Sequence, residues 1–211
     1  MTTHVQRAAA CFGVVVVTLF VPAAILADQA GSIETTRIFD ALELKEGMTV
    51  CEMGAGDGAL SIAAARRVGP QGQVLTSELG DDRVKALRTK VADASVPHIS
   101  VLAGHESRTN FPDGACDALF MRNVYHHFAD PAAMNLSIAA ALKPGARLAI
   151  VDFGPPPNSE ATCPADRGKD GTHGITSATL SRELSAAGFQ PVASEAGAQR
   201  WFMVVVAKPV K

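Results

Sequence analysis

Aromatic residues are scarce in this chain: they make up 5% of its 211 residues, with one tryptophan and one tyrosine. That leaves few stacking platforms for a surface that reads unpaired bases. A basic excess is absent too, since 19 lysines and arginines stand against 21 acidic residues, a formal net charge of -2. Chains that grip a phosphate backbone carry the opposite imbalance, so no nucleic-acid partner is expected. There is no acidic or basic tail and no internal repeat. Among the four cysteines no CxxC pair occurs, which argues against a thiolate zinc site.

What is present begins with an uncharged run, AAACFGVVVVTLFVPAAILA, over residues 8–27, preceded by Arg7 and followed by Asp28. A short positive region, an apolar centre and small residues at the end form the pattern of a secretory signal, with cleavage after Ala27. Ile25 stands where a small residue is preferred. The same run is just long enough to anchor the chain in a bilayer, kinked at Pro22. Either way the positive end stays inside. Residues 28–211 are therefore expected as one exported domain, periplasmic or otherwise extracytoplasmic, or membrane-anchored through residues 8–27. Cys11 lies near the start of this run and not after it, the wrong place for a lipoprotein cleavage site. Beyond the run lie Cys51, Cys116 and Cys163. An odd count is no disulfide framework. Cys51 and Cys116 sit in apolar runs and read as core residues, whereas Cys163 lies in a proline-rich loop and is expected to be exposed.

Hydrophobic residues make up 47% of the chain and charged residues 19%, within the globular range. The pattern predicts a helix over roughly 33–42, a strand over 49–53, an alanine-rich helix over 58–68 and a strand over 74–78. An amphipathic helix over 81–92 carries Val84, Leu87 and Val91 at helical spacing. Strands follow over 99–103 and 115–123, then a helix over 131–142 with proline at its start, a strand over 147–153 and a helix over 176–187. Two further strands, 190–194 and 201–207, close the chain. Strands that are apolar throughout and alternate with helices imply an α/β fold with a parallel sheet covered on both faces. The last two strands suggest an antiparallel hairpin at one edge. Residues 154–171, rich in proline and polar residues, read as a long loop: either a cover for a pocket or a plain surface loop.

The stretch VCEMGAGDG, Val50 to Gly58, places a glycine turn between a strand and a helix. Such a turn lies at the carboxyl ends of the strands, where ligands bind. Gly54, Gly56 and Ala59 fit a loose dinucleotide fingerprint with Glu78 at a suitable distance. Glu52 argues the other way, because a carboxylate beside a pyrophosphate is unfavourable. Asp57 reads as an early-helix residue that caps backbone N–H groups.

This stretch resembles motif I of the class I S-adenosylmethionine (SAM)-dependent methyltransferases. TSEL, Thr76 to Leu79, matches the acidic end of their second strand. FPDGACDALFMRNVYHHFADP and LKPGARLAIVDF are similar to blocks of the ubiquinone/menaquinone-type and related small-molecule methyltransferases, with Ala146 in place of a second glycine. The resemblance covers roughly residues 33–207. It implies a Rossmann-like, doubly wound, seven-stranded sheet, mostly parallel with an antiparallel C-terminal hairpin. It also implies SAM as cofactor and a small-molecule methyl acceptor. Glu52, Gly54, Ala55, Gly56, Glu78 and Leu79 become cofactor-side candidates, with Glu78 accepting from the ribose hydroxyls. His105 stands where many relatives carry an aspartate near the adenine amine; His105, the adjacent Glu106 or the local backbone is expected there. The segment after the fourth strand, Asn123-Val124-Tyr125-His126-His127, is implied to lie between cofactor and substrate. Asn123 is the cofactor-edge candidate. Tyr125, His126 and His127 are candidates for orienting a substrate or removing a proton, or else structural residues. Asp152 and His173 are further substrate-side candidates. Adjacent histidines point differently on a helix, so no metal is expected; His173 completes a site only by folding back. A non-catalytic SAM-binding protein is the alternative. A nicotinamide-dependent oxidoreductase is disfavoured by Glu52 and the HHF and KPG blocks.

Overall fold

The computed structural model describes residues 35–159, 163–197 and 200–210, and the apolar run of residues 8–27 lies outside them. A helix, α1, covers 35–41. It is followed by β1 (Thr49–Met53), α2 (Ala59–Val68), β2 (Gln73–Glu78), α3 (Asp81–Asp93), β3 (Ile99–Ala103) and β4 (Cys116–Arg122). The chain continues through α4 (Pro131–Ala141), β5 (Leu142–Phe153), α5 (Ser177–Ala186), β6 (Gln190–Ala196) and β7 (Trp201–Ala207). Among the described residues no helix is long and apolar enough to cross a membrane.

The strands form one seven-stranded sheet in the order β3-β2-β1-β4-β5-β7-β6. The pairs β1–β2, β1–β4, β2–β3 and β4–β5 are parallel, while β7 runs antiparallel to both β5 and β6. The expected Rossmann-like doubly wound α/β sheet and its reversed C-terminal hairpin are therefore both present. Strand order changes direction between β1 and β4, so a crevice is expected beyond the carboxyl ends of those two strands.

Consecutive residues of the inner strands feed two cores, as a two-residue side-chain period requires. Cys51 and Met53 of β1, Leu119 of β4 and Ile150 of β5 pack with Ile138 of α4 and Leu184 of α5. Val50, Ala118, Phe120 and Ala149 pack on the other face with Ile38 of α1, Ala64 of α2 and Leu87 of α3. This double coverage is why the strands read as unbroken apolar runs. Asp130 caps α4 by accepting from Ala133 N–H at 3.0 Å, with Pro131 in the first turn. Thr176 does the same for α5, accepting from Thr179 N–H at 3.1 Å.

Two features differ from the sequence expectation. β5 begins at Leu142, not at 147, so Lys143-Pro144-Gly145 lies inside a strand. The segment is held because Leu142 pairs with Cys116 across an irregularity, Gly145 N–H donates to Lys208 O at 2.9 Å, and Lys208 N–H donates to Ala146 O at 2.9 Å. Secondly, Cys51 and Cys116 are joined in a disulfide, with Cα atoms 5.8 Å apart and a sequence separation of 65. Both side chains face the same core. An odd count rules out a fully paired set, not a single bridge, and among the described residues Cys163 is the exposed free thiol left over.

Candidate functional site

The turn after β1 is built by glycines in the left-handed region, Gly54 at φ 68° and Gly56 at φ 56°. Gly54 and Ala55 N–H both donate to Ser77 O, at 2.9 and 3.0 Å, which folds the loop over the end of β2. A Cβ on Gly54 would stand 2.4 Å from Val124 Cγ2, so only glycine lets the segment after β4 close on this turn. Gly56 N–H donates to Glu78 Oε2 at 2.7 Å, and Leu79 N–H donates to Glu78 Oε1 at 2.9 Å. Glu78 is thereby aimed and nearly buried. Arg83 Nε lies 3.5 Å from its Oε1. Each carboxylate oxygen accepts about two hydrogen bonds, so Glu78 retains capacity for further donors.

Gly54, Glu78, Leu79, His105, Glu106 and Asn123 line one cavity of about 490 Å³. It opens where the strand order reverses, and His127 forms part of its wall. Sequence reasoning missed Arg122 and Arg108, which also line it. Arg122 is the last residue of β4, and its place at a strand end beside Asn123 was the available signal. Asn123 sits at φ 59° with its N–H donated to Val151 O at 3.0 Å, a left-handed turn that asparagine tolerates.

Glu52, Ala55 and Gly56 do not line the cavity. Gly56 contributes its N–H to Glu78, and Ala55 is buried. Glu52 is turned into the protein interior, where its carboxyl contacts the Ser61 hydroxyl, and Ser61 Oγ lies 2.8 Å from Thr76 Oγ1. Burial raises its pKa to about 8, against the opposing pull of Ser61 and Arg122. The reading of Glu52 as a charge at the cavity is corrected on this point; the carboxylate in that position is Glu78.

The segment after β4 turns through a short 3-10 helix, Tyr125–His127. Tyr125 is thrown inward and fully buried. Its hydroxyl donates to Glu183 Oε2 at 3.1 Å and accepts from Asn135 Nδ2 at 2.8 Å. Burial raises its pKa, and it stands as a core residue away from the cavity. His126 is buried as well. Its Nδ1 lies 2.8 Å from Asp152 Oδ1, and its Nε2 lies 3.0 Å from His173 Nε2. His127 is exposed and borders the cavity. Partial burial, then the nearby His126 and His173 rings, lowers its pKa and favours the neutral ring. His173 does fold back: each of the three histidines offers a ring nitrogen within 4.8 Å of the others.

Through its described residues, 155–159 and 163–171, the loop after β5 does not line the cavity. It contains a 3-10 turn, Pro164–Asp166, and is pinned by the fully buried Arg167, whose guanidinium pairs with Glu183 of α5. Its path runs instead beside His127, because a Cβ on Gly168 would stand 4.0 Å from His127 Nδ1.

Comparison with known proteins agrees with this geometry. The chain is 29% identical over 122 residues to a nocamycin O-methyltransferase of Saccharothrix syringae, covering 58% of this chain and 44% of that protein. It is 33% identical over 120 residues to a ubiquinone/menaquinone biosynthesis C-methyltransferase of Pseudomonas putida, covering 54% and 45%. The chain thus spans less than half the length of these curated relatives. Its fold is similar to that of a SAM-dependent methyltransferase from Aquifex aeolicus, with a TM-score of 0.71 at 23% identity, covering 89% of this chain and 98% of that one. A family model described as a methyltransferase domain matches residues 32–194, which takes in the glycine turn, the cavity and the histidine segment, and the chain belongs to that family.

Proposed function

We propose that the chain transfers a methyl group from SAM to a small-molecule acceptor. The observation that carries this reading is Glu78: a carboxylate at the end of β2, fixed by two backbone N–H groups, facing a cavity, with acceptor capacity to spare. That is the arrangement needed to accept both hydroxyls of a ribose. The cavity suits the rest of the molecule. Leu79 offers an exposed apolar face for a purine ring, and His105 and Glu106 lie on the same wall. Gly54 allows backbone approach. Arg122 and Asn123 stand on the β4 side, where a guanidinium suits the carboxylate of an amino-acid moiety.

When bound, SAM supplies a methyl group on a positively charged sulfur, already a strong electrophile. The protein's share is alignment and exclusion of water. The neutral ring favoured at His127 can take a proton from an acceptor that must lose one. Among the three histidines it is the one on the cavity wall.

The site of action proposed is outside the cytoplasm. The uncharged run after Arg7 supports it, as does the Cys51–Cys116 disulfide, since such bonds persist in oxidising compartments.

Calorimetric titration of the chain with SAM, beside Glu78→Ala, tests the cofactor assignment. Binding by the wild type, weakened about tenfold or more in the variant, is expected from the loss of charge-assisted hydrogen bonds. Release of S-adenosylhomocysteine with candidate phenols, amines and thiols then tests transfer. A folded chain that does not bind SAM rejects the reading.

A further inference from the structure

His126 and His173 are 47 positions apart, yet their Nε2 atoms lie 3.0 Å from each other. The His126 ring is set by Asp152, which is fully buried. Asp152 accepts the ring Nδ1–H at 2.8 Å, the His126 backbone N–H at 3.2 Å and the Phe153 N–H at 2.8 Å. A carboxylate that holds Nδ1–H leaves Nε2 as a lone pair, and that lone pair is directed at His173. Two such nitrogens at this separation require a proton or a cation between them.

The backbone that presents His173 is fixed on both sides. Gly174 N–H donates to Arg167 O and Ile175 N–H to Phe153 O, each at 2.9 Å. Gly174 is at φ 126°, where a Cβ would meet Phe153 O at 2.6 Å, so this chain segment lies against the end of β5 with no room for another residue. The Phe153 ring packs on both imidazoles, with centroids 4.8 Å from His126 and 5.2 Å from His173. His127 contributes the third nitrogen from the cavity wall.

We propose that His126, His127 and His173 bind one divalent cation of the zinc class, with Asp152 as the outer carboxylate that orients His126. Zinc–nitrogen bonds of about 2.0–2.1 Å place tetrahedral ligand nitrogens about 3.3 Å apart. The His126–His173 pair is already close to that spacing, and the exposed His127 ring has the freedom to close the rest. Three neutral imidazoles select zinc, copper, nickel or cobalt over magnesium or calcium, which prefer oxygen. A carboxylate–histidine–metal relay is the usual support of such a ligand. Three protein ligands leave a fourth position open, and the place of His127 turns it toward the cavity. An oxygen, nitrogen or sulfur of the methyl acceptor would coordinate there, and in the loaded site the cation, in place of His127 as a base, would ease loss of its proton; this last step rests on the methyl-transfer reading, whereas cation binding does not.

The test uses the untagged full-length chain carrying Cys163→Ser, titrated with zinc chloride by calorimetry and with cobalt(II) by visible spectroscopy, without SAM. One equivalent of zinc is expected, with a tetrahedral cobalt spectrum and a rise in Tm. His173→Ala and His127→Ala, both at exposed positions, are each expected to weaken zinc binding at least about tenfold and to abolish the Tm rise, with far-UV circular dichroism retained. Asp152→Asn is expected to weaken it about 10–100-fold. No binding by the parent chain, or unchanged affinity in either alanine variant, overturns the site. Absence of binding would make His126 and His173 a hydrogen-bonded pair. Because no SAM is present, that failure is separate from any failure of the cofactor assignment.

Discussion

Gly56 and Glu78 are joined by a 2.7 Å hydrogen bond from the backbone N–H of one to Oε2 of the other. The glycine turn and the cavity-facing carboxylate are therefore one unit. Glu78→Gln replaces an acceptor oxygen with an NH2 group that must face either Gly56 N–H or Leu79 N–H, donor against donor. SAM affinity is expected to fall about tenfold or more, and the Gly56 amide to exchange faster with solvent. Unchanged exchange would show that Glu78 does not order the turn.

Gly54→Ala meets two penalties of different origin. One is the left-handed φ of 68°, the other the 2.4 Å approach to Val124 Cγ2. The first costs about 1–3 kcal/mol in a non-glycine residue. The double variant Gly54→Ala/Val124→Ala removes the second alone. It is expected to regain part of the lost Tm and to remain below wild type. Full recovery would mean that backbone strain contributes nothing.

Glu52 has a folded-state pKa raised to about 8, above its ordinary 4.5, chiefly by burial. Between these values the folded protein holds a proton that the unfolded chain releases. Its stabilising contribution is whole below about pH 4.5 and is lost as pH rises toward about 8, with a slope of at most about 1.4 kcal/mol per pH unit. Glu52→Gln lacks this group, so the stability difference between wild type and variant should shift in favour of the variant from pH 5 to 8. Urea unfolding at stepped pH measures it, and parallel profiles would refute the burial argument.

The Cys51–Cys116 bridge closes a span of 65 positions. Chain-entropy reasoning assigns such a crosslink about 4 kcal/mol. Cys51→Ala/Cys116→Ala is expected to unfold at lower urea concentration than wild type, and wild type under reductant should approach the variant. Alkylation of the unreduced, denatured chain should leave two of its four cysteines unmodified. Labelling of all four would exclude the bridge.

The outline of this fold was legible because continuous apolar runs and helix punctuation carry the signal locally. The bounds of β3 and β7 are read directly from composition, and Asp130-Pro131 marks the start of α4. What escaped was set by distant partners. Leu142 and Gly145 become strand through contacts with Cys116 and Lys208, which follow from tertiary pairing alone. Tyr125 carries the same polar hydroxyl whether it faces substrate or core, and only the placement of Asn135 and Glu183 decides. Glu52 looks like a cavity charge until Ser61 of the following helix is seen to engage it. In the site, the family resemblance pointed to Gly54, Glu78 and the 105–106 pair, all of which line the cavity. The meeting of His126 with His173 depends on a loop whose path no periodicity describes.

The disulfide also makes a covalent ring of residues 51–116. Glu78, Leu79, His105 and Glu106 lie within that ring, Gly54 near one junction and His127 just beyond the other. A protease that cuts once inside the ring opens it without releasing a fragment. Both cavity walls stay tethered through the sulfur link, so an oxidised molecule nicked in β2, α3 or β3 remains one covalent body able to re-form the site.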